Sequence, residues 1–249
     1  MSEPTPQIPD AGGATSARDA TGSHRRDRRA DGREAIEDYA KAIYGLASGD
    51  EAVSTSAIAE RLGVSPGTVT AMVKRLAKLG LADHEPYRGV ALTDSGERIA
   101  LEVIRHHRLI ETYLSDALGM SWDRVHDEAE VLEHYISEEL EELMAQALGQ
   151  PTRDPHGDPI PDRALEMASE ARGRTSLVDM PKGQSGTFER VSDRDPEMLR
   201  YLDEREVRPG SRLEVIAHEP FGGSVRIKVG GCEHGIGAAL AARMLVDVA

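Results

Sequence analysis

Apolar side chains take up helical spacing from about Glu34. Ile36, Tyr39, Ala40, Ile43, Tyr44 and Leu46 fall mostly three or four positions apart, which puts them on one face. The polar stretch 48–51 closes this first helix. A short second helix is predicted over 54–62, with Ile58, Ala59 and Leu62 turned inward. Gly63, Val64 and Ser65 then make a tight turn. Ser65 can cap the next helix, and Pro66 sits at its first position, where a missing amide proton costs nothing. Val69, Met72, Val73 and Leu76 line one face of this third helix until Gly80 stops it. Extended pieces at 81–82 and 90–92 flank Tyr87, Arg88 and Gly89 and predict a small hairpin.

Helix, helix, turn, helix and hairpin in this order predict a winged helix-turn-helix over 34–99. The helical pattern then runs on. Ala100, Val103, Ile104, Leu109, Ile110, Tyr113 and Leu114 carry one stretch from about Ser95 to Leu118. Val125, Val131, Leu132, Tyr135, Ile136, Leu140 and Leu143 carry another from Trp122 to about Leu148. This apolar face is too broad for one winged helix to cover, so 100–161 is expected to be a helical domain that also dimerises. Trp122, where the second stretch begins, is expected to pack there rather than touch a ligand.

The run PTRDPHGDPIP ends the helices. Residues 162–184 read as a flexible linker that leaves the docking of the last domain unfixed. Within 185–249, strand-length stretches at 186–191, 212–218 and 223–229, then GCEHGIGAAL and MLVDV, predict a small β barrel with a helical excursion at 195–203. At the other end, residues 1–33 lack an apolar period and end in the basic run His24, Arg25, Arg26, Asp27, Arg28, Arg29. They are expected to be a disordered tail. The fold class is mostly α with a small β domain.

A net charge of −14 excludes binding to nucleic acid by whole-chain attraction, so charge has to be read by segment. Segment 54–89 carries Arg61, Lys74, Arg75, Lys78 and Arg88 against Glu60, Asp83 and Glu85, a positive island in an acidic chain. No apolar run approaches the roughly 18 residues of a membrane span, and the start MSEPTPQIPD lacks the apolar stretch of a secretory signal. A cytoplasmic protein without a membrane partner is expected. The lone Cys232 has no partner for an intrachain disulfide and is expected to be a small buried or half-buried residue.

In SPGTVTAMVKRLAKLG, residues Ser65, Pro66, Gly67, Thr68 and Thr70 fall at the end of the third helix that would enter a major groove. Lys74 and Arg75 are placed for phosphate, and Arg88 for the hairpin tip. Short Thr side chains suit thymine methyl groups, and no Arg or Asn near that end offers a bidentate base contact. Double-stranded DNA is the expected partner, read partly by apolar contact and partly by shape.

The segment VHDEAEVLEHYISEELEEL puts Glu130, Glu133 and His134 at i, i+3 and i+4 on one helical face, with His126 one turn before Glu130. His107 and Glu111 form an i, i+4 pair in the preceding helix. Nitrogen and oxygen donors on two adjacent helices have the spacing of a metal site, which Asp38 would join if the first helix packs across them. Glu138, Glu139, Glu141 and Glu142 read as a solvated face.

The motifs EDYAKAIYGL, AIAERLGVSPGTVTAMVKRLAKLGL, YRGVALTDSG, RHHRLIETYL, VHDEAEVLEH and DPHGDPIP stand in this order. With them the chain resembles the DtxR/MntR family of metal-dependent repressors from about Glu34 to Pro161, and more loosely through the family's carboxy-terminal SH3-like, or FeoA-like, domain. The resemblance implies a primary metal site of Asp38, Glu130, Glu133 and His134. It implies an ancillary site of His107, Glu111 and His126, completed in three-domain members by a pair from the last domain, for which Asp195 and Glu197 are the nearest candidates.

Iron-tuned members carry Met and Cys at the positions of Asp38 and Glu130, whereas carboxylates at both mark manganese-responsive members. Hard oxygen donors suit Mn(II). The resemblance thus implies a homodimeric repressor of metal uptake genes with Mn(II) as corepressor, seated on its operator as one or two dimers. Its alternative is an Fe(II)-dependent repressor of iron acquisition genes; a non-haem metal enzyme is disfavoured because no substrate pocket is evident. Lys41 stands where two-domain manganese members have a second acidic residue, which argues against a binuclear cluster. The switch expected from these positions is electrostatic: without metal, Asp38, Glu130 and Glu133 repel and push the first helix away, and Mn(II) pins it.

Overall fold

The computed structural model describes residues 20–47, 52–85, 88–168 and 174–248. Helix α1 spans Ala20–Leu46 and so begins well before Glu34. The stretch 20–33 is therefore helical along its backbone, a correction to the expected disordered tail, and its Ala and Arg residues are good helix formers. Residues 1–19 and the side chains of the basic run lie outside the described residues.

Helices α2 (Thr55–Leu62) and α3 (Pro66–Lys78) form as their caps dictate. Ser54 Oγ accepts the amide of Ala57, Ser65 Oγ accepts that of Thr68, and Gly63 between them takes the left-handed conformation at φ 64°. Strands β1 (Ala82–Glu85) and β2 (Gly89–Leu92) pair antiparallel as the wing, and Val53 bridges to Val90 on its far side. Tyr87 lies outside the described residues. Ile43, Val53, Ile58, Val69, Val73, Leu76 and Val90 share one buried core, so α1 is built into the winged helix.

Thr93 caps α4 (Asp94–Thr112), which runs into a π turn at Tyr113–Ala117. The single helix expected over 122–148 is two helices, α5 (Val125–Leu132) and α6 (Glu138–Ala147). The break has a local cause: Ser137 leaves the helix to cap α6, accepting the amide of Leu140, and Ser favours that position over a helix interior. Ile110, Leu114, Val125, Ala129 and Met144 pack between these helices. Leu118, Val131, Tyr135, Leu140 and Leu143 remain exposed on the same domain.

The last domain is a six-stranded antiparallel sheet in the order β3-β8-β4-β5-β6-β7. Its strands are β3 (Arg174–Ser176), β4 (Ser185–Val191), β5 (Arg212–His218), β6 (Val225–Val229), β7 (Cys232–Ile236) and β8 (Met244–Asp247). Bulges in β4 and β5 bend it around the core, and α7 (Pro196–Asp203) and α8 (Ala238–Ala241) close it. Part of the expected linker belongs to this domain: β3 pairs with β8, and Leu177 and Met180 are fully buried. Cys232 is exposed, a correction to its expected burial, because it opens the edge strand β7.

Docking of the last domain is likewise fixed. Trp122 enters its core and is 1% exposed, so its packing partner is the last domain, and its ring stacks on His156. The loop 154–158 seats against β4: Val191 donates its amide to His156 O, and Arg190 pairs with Asp158 at 2.7 Å. Gly157, at φ 89°, lets the two backbones meet; a Cβ there would lie 1.7 Å from Glu189 O.

Candidate metal centre

Asp38 on α1 and the pair Glu133 and His134 just past α5 form one cluster, their ligand atoms all within 4.8 Å of one another. His134 Nε2 stands 3.1 Å from Asp38 Oδ1, and its Nδ1 donates to Glu37 Oε2 at 2.7 Å. A metal-binding imidazole is held in this way, with one nitrogen tied to a carboxylate and the other facing the site. Glu37, 7% exposed, is a supporting residue that spacing did not single out. Glu130 completes the group through Lys41, whose Nζ donates to Glu130 Oε1 at 2.7 Å and to Glu133 at 2.8 and 3.0 Å. The carboxylates are therefore bridged by an ammonium. The expected repulsion that pushes α1 away is corrected accordingly.

A second cluster centres on Glu111, which is fully buried on α4. Its Oε1 lies 3.0 Å from His107 Nε2 and 3.3 Å from His126 Nδ1, and His126 Nδ1 lies 3.1 Å from Asp193 Oδ2. Asp193 is thus the last domain's contribution, in place of Asp195 and Glu197. Asp195 is occupied as the N-cap of α7, accepting the amides of Glu197 and Met198, and Glu197 lies in that helix's first turn. On the other side, Glu111 Oε2 and His156 Nδ1 face each other at 3.6 Å, both buried and without a hydrogen-bond partner, with Asp154 beside them. His156 Nε2 donates to Trp122 O at 2.8 Å, which leaves Nδ1 as the nitrogen that faces the site. Two ligands of one ion stand about 3.0–3.6 Å apart, so this gap fits a shared cation better than a hydrogen bond.

Burial disfavours charge on these imidazoles, yet the carboxylates beside them prevail. Asp193 and Glu111 raise His126 to about 10, and Glu111 and Asp154 raise His156 to about 9. Asp38, then Glu37, raises His134 to about 10. Asp193 is half-buried, which by itself would raise it, and the His126 hydrogen bond nevertheless lowers it to about 2. Asp154 goes the other way: burial, with Glu111 and Asp158 nearby, pushes its carboxyl well above the usual range. Donors of nitrogen and oxygen, crowded acids and orphaned buried atoms together fit a hard or borderline divalent cation.

The face of α3 opposite the core is exposed from Ser65 through Arg75, interrupted by Val69, Met72 and Val73. Ser65, Pro66, Gly67, Thr68, Thr70, Lys74 and Arg75 all lie on it. Ser65 and Thr68 share a hydroxyl contact at 2.8 Å, and Thr70 Oγ1 donates to Pro66 O. Arg75 leans on α1, its guanidinium 3.0 Å from where a Gly32 Cβ would stand. Arg88, on the wing, is exposed and paired with Glu85 at 2.9 Å. Glu141, expected on a solvated face, instead accepts from Arg105 and contacts His106, its side chain 13% exposed.

Residues 33–90 match the family described as the iron dependent repressor N-terminal DNA binding domain, and 93–162 the iron dependent repressor metal binding and dimerisation domain. Residues 175–248 match the FeoA domain. The chain is 33% identical over 186 residues to the diphtheria toxin repressor of Corynebacterium efficiens, a span of 72% of this chain and 81% of that one. The chain belongs to the iron-dependent repressor family. It is also 32% identical over 207 residues to the iron-dependent repressor IdeR of Mycobacterium tuberculosis, covering 79% of this chain and 89% of that one. A manganese-dependent transcriptional repressor solved in complex with manganese has a TM-score of 0.78 at 40% identity, covering 86% of this chain and 100% of that chain.

As a member of this family the repressor is a DNA-binding transcription regulator and not an enzyme, and it dimerises. No helix among the described residues is long and apolar enough to cross a membrane. Of the sequence-derived ligands, Asp38, Glu130, Glu133, His134, His107, Glu111 and His126 come together. Asp193, Asp154, His156 and Glu37 were missed. A signal existed for the first: Asp195 before Pro196 is an N-cap pattern, which leaves Asp193 as the free acid of that turn.

Proposed function

We propose that this repressor is switched on by Mn(II), and that it acts in the cytoplasm on operators of metal uptake genes. Its corepressor site is Asp38, Glu130, Glu133 and His134, and a second site gathers around Glu111 with His107, His126 and Asp193, reaching toward Asp154 and His156. The observation that carries this is the donor set: where α1 meets α5 the acids Asp38 and Glu133 and the imidazole of His134 converge, a group of oxygen and nitrogen donors. The similarity to repressors named for manganese supports the same reading.

Helix α1 is the lever. Tyr39 and Ile43 are buried in the winged-helix core, while Asp38 and Glu37 face His134. The bound ion would supply the positive charge that ties Asp38 to Glu133 and His134. Holding α1 against α5 sets the placement of α3 relative to the dimer, and two α3 helices must reach successive major grooves together. Lys74, exposed on α3, meets phosphate, and Thr68 and Thr70 meet base edges.

Glu133→Ala tests this site. The variant is expected to stay dimeric and to lose Mn(II)-dependent operator binding in a fluorescence anisotropy titration. An unchanged Mn(II) response would place the corepressor site elsewhere.

A further inference from the structure

A cleft of about 420 Å³ opens between the winged helix and the last domain. His107, Glu111 and His126 of the second cluster line it, and so do Arg61 from α2 and Arg194 and Arg243 from the last domain. The acids of the cleft are already engaged. Asp158 pairs with Arg190 at 2.7 Å and with Arg108 at 3.3 Å, and Asp193 faces His126 at 3.1 Å. Among the described residues the guanidinium groups of Arg61, Arg194 and Arg243 have no carboxylate within ion-pair distance. Arg243 reaches only the sulfur of Met198, at 3.5 Å. Burial, then the like charge of Arg61, lowers Arg194 from its ordinary value; Arg243 adds to the effect, and Asp193 and Asp158 oppose it. A chain of net charge −14 thus gathers three guanidiniums at one cleft without neutralising them.

We propose that Arg61, Arg194 and Arg243 form a site for a small phosphate-bearing anion that ties the winged helix to the last domain. A guanidinium presents a planar fork of N–H donors that matches two oxygens of a phosphate, and an anion among three of them removes their mutual repulsion. Ser192 lines the same cleft; its Oγ accepts the amide of Arg194 at 3.4 Å, which leaves the hydroxyl proton to donate. The volume suits a small molecule and excludes a duplex, and the exposed face of α3 contributes no residue to the lining. Because Arg61 moves with α2 while Arg194 and Arg243 move with the sheet, the bound anion crosslinks two domains. The inference needs no metal, so it stands apart from the corepressor reading.

The test uses the full-length protein, stripped with a chelator and titrated by calorimetry with inorganic phosphate and with glycerol phosphate, at an ionic strength held constant with chloride. Saturable binding of one phosphate group per chain is expected. Binding of inorganic phosphate alone names the free ion as the occupant, and binding of both names a phosphate monoester; either supports the site. Arg194→Gln combined with Arg243→Gln is expected to weaken binding by at least about tenfold, and Arg61→Gln, from the other domain, to weaken it likewise. In chloride alone the melting temperatures of these variants are expected not to fall, because each change removes like-charge repulsion; a merely structural role would lower them. Absence of saturable binding in the parent, or equal binding in the folded variants, overturns the proposal. Variants that bind phosphate as the parent does yet lose affinity for DNA would assign the arginines to the DNA backbone and overturn it too. Should the double variant fail to fold, Arg61→Gln decides by the same readouts.

Discussion

Three imidazoles of the centre are each steered by a fixed acceptor. Glu37 holds Nδ1 of His134, Trp122 O holds Nε2 of His156, and Asp193 faces Nδ1 of His126. With His126 and His134 raised to about 10 and His156 to about 9, all three are cationic at neutral pH in the metal-free protein. Their folded values lie above the ordinary value of about 6.5, so the stability they contribute is complete below that pH and is lost as pH rises through 9 and 10. Asp193, lowered to about 2, contributes above its ordinary value of about 3.9 and fails as pH falls toward 2. Thermal unfolding of the chelated protein is thus expected to peak between about pH 4 and 6.5 and to decline on the alkaline side. A melting temperature that holds level from pH 6.5 to 10 would contradict this account. At this scale the sequence carried Glu130, Glu133 and His134, because their spacing alone puts them on one face. Asp193 was legible only by elimination, through the N-cap pattern of Asp195 and Pro196, since its place beside His126 depends on how a distant domain docks.

At the scale of elements, capping residues decided most boundaries. Ser54, Ser65 and Thr93 each accept an amide at the start of α2, α3 and α4, and these helices could be read directly from the chain. Ser137 does the same for α6, but the apolar period runs through it, and period alone predicted one long helix. The loop 154–158 was legible only as a break in regular structure. In the fold it is the seat of the last domain, and Gly157 allows the contact. Gly157→Ala would place a methyl against Glu189 O at a left-handed φ, which is expected to cost more than about 2 kcal/mol of docking. Limited proteolysis should then cut faster within 162–173, and an unchanged cleavage rate would show that the seat tolerates the methyl.

At the scale of the whole molecule, the proposed function has an acidic chain meet DNA through one small positive face, with α1 as the lever that joins that face to the candidate metal centre. Helix α1 belongs to two units: its apolar side completes the winged-helix core, and its acidic side reaches α5. Sequence periodicity showed the first of these. The second required the packing of α1 across α4 and α5, which periodicity does not contain. The central claim is that Mn(II), held by carboxylates and imidazoles, brings the repressor into its DNA-competent state. An anaerobic DNA-binding titration with Mn(II), Fe(II), Co(II) and Zn(II) tests it most directly, using full-length protein and a duplex carrying its operator. The account predicts tight binding with Mn(II), loss of binding with chelator, and no metal response in Glu133→Ala. Equal DNA binding with and without Mn(II) would contradict it, and activation by Fe(II) alone would replace it with the iron-dependent reading.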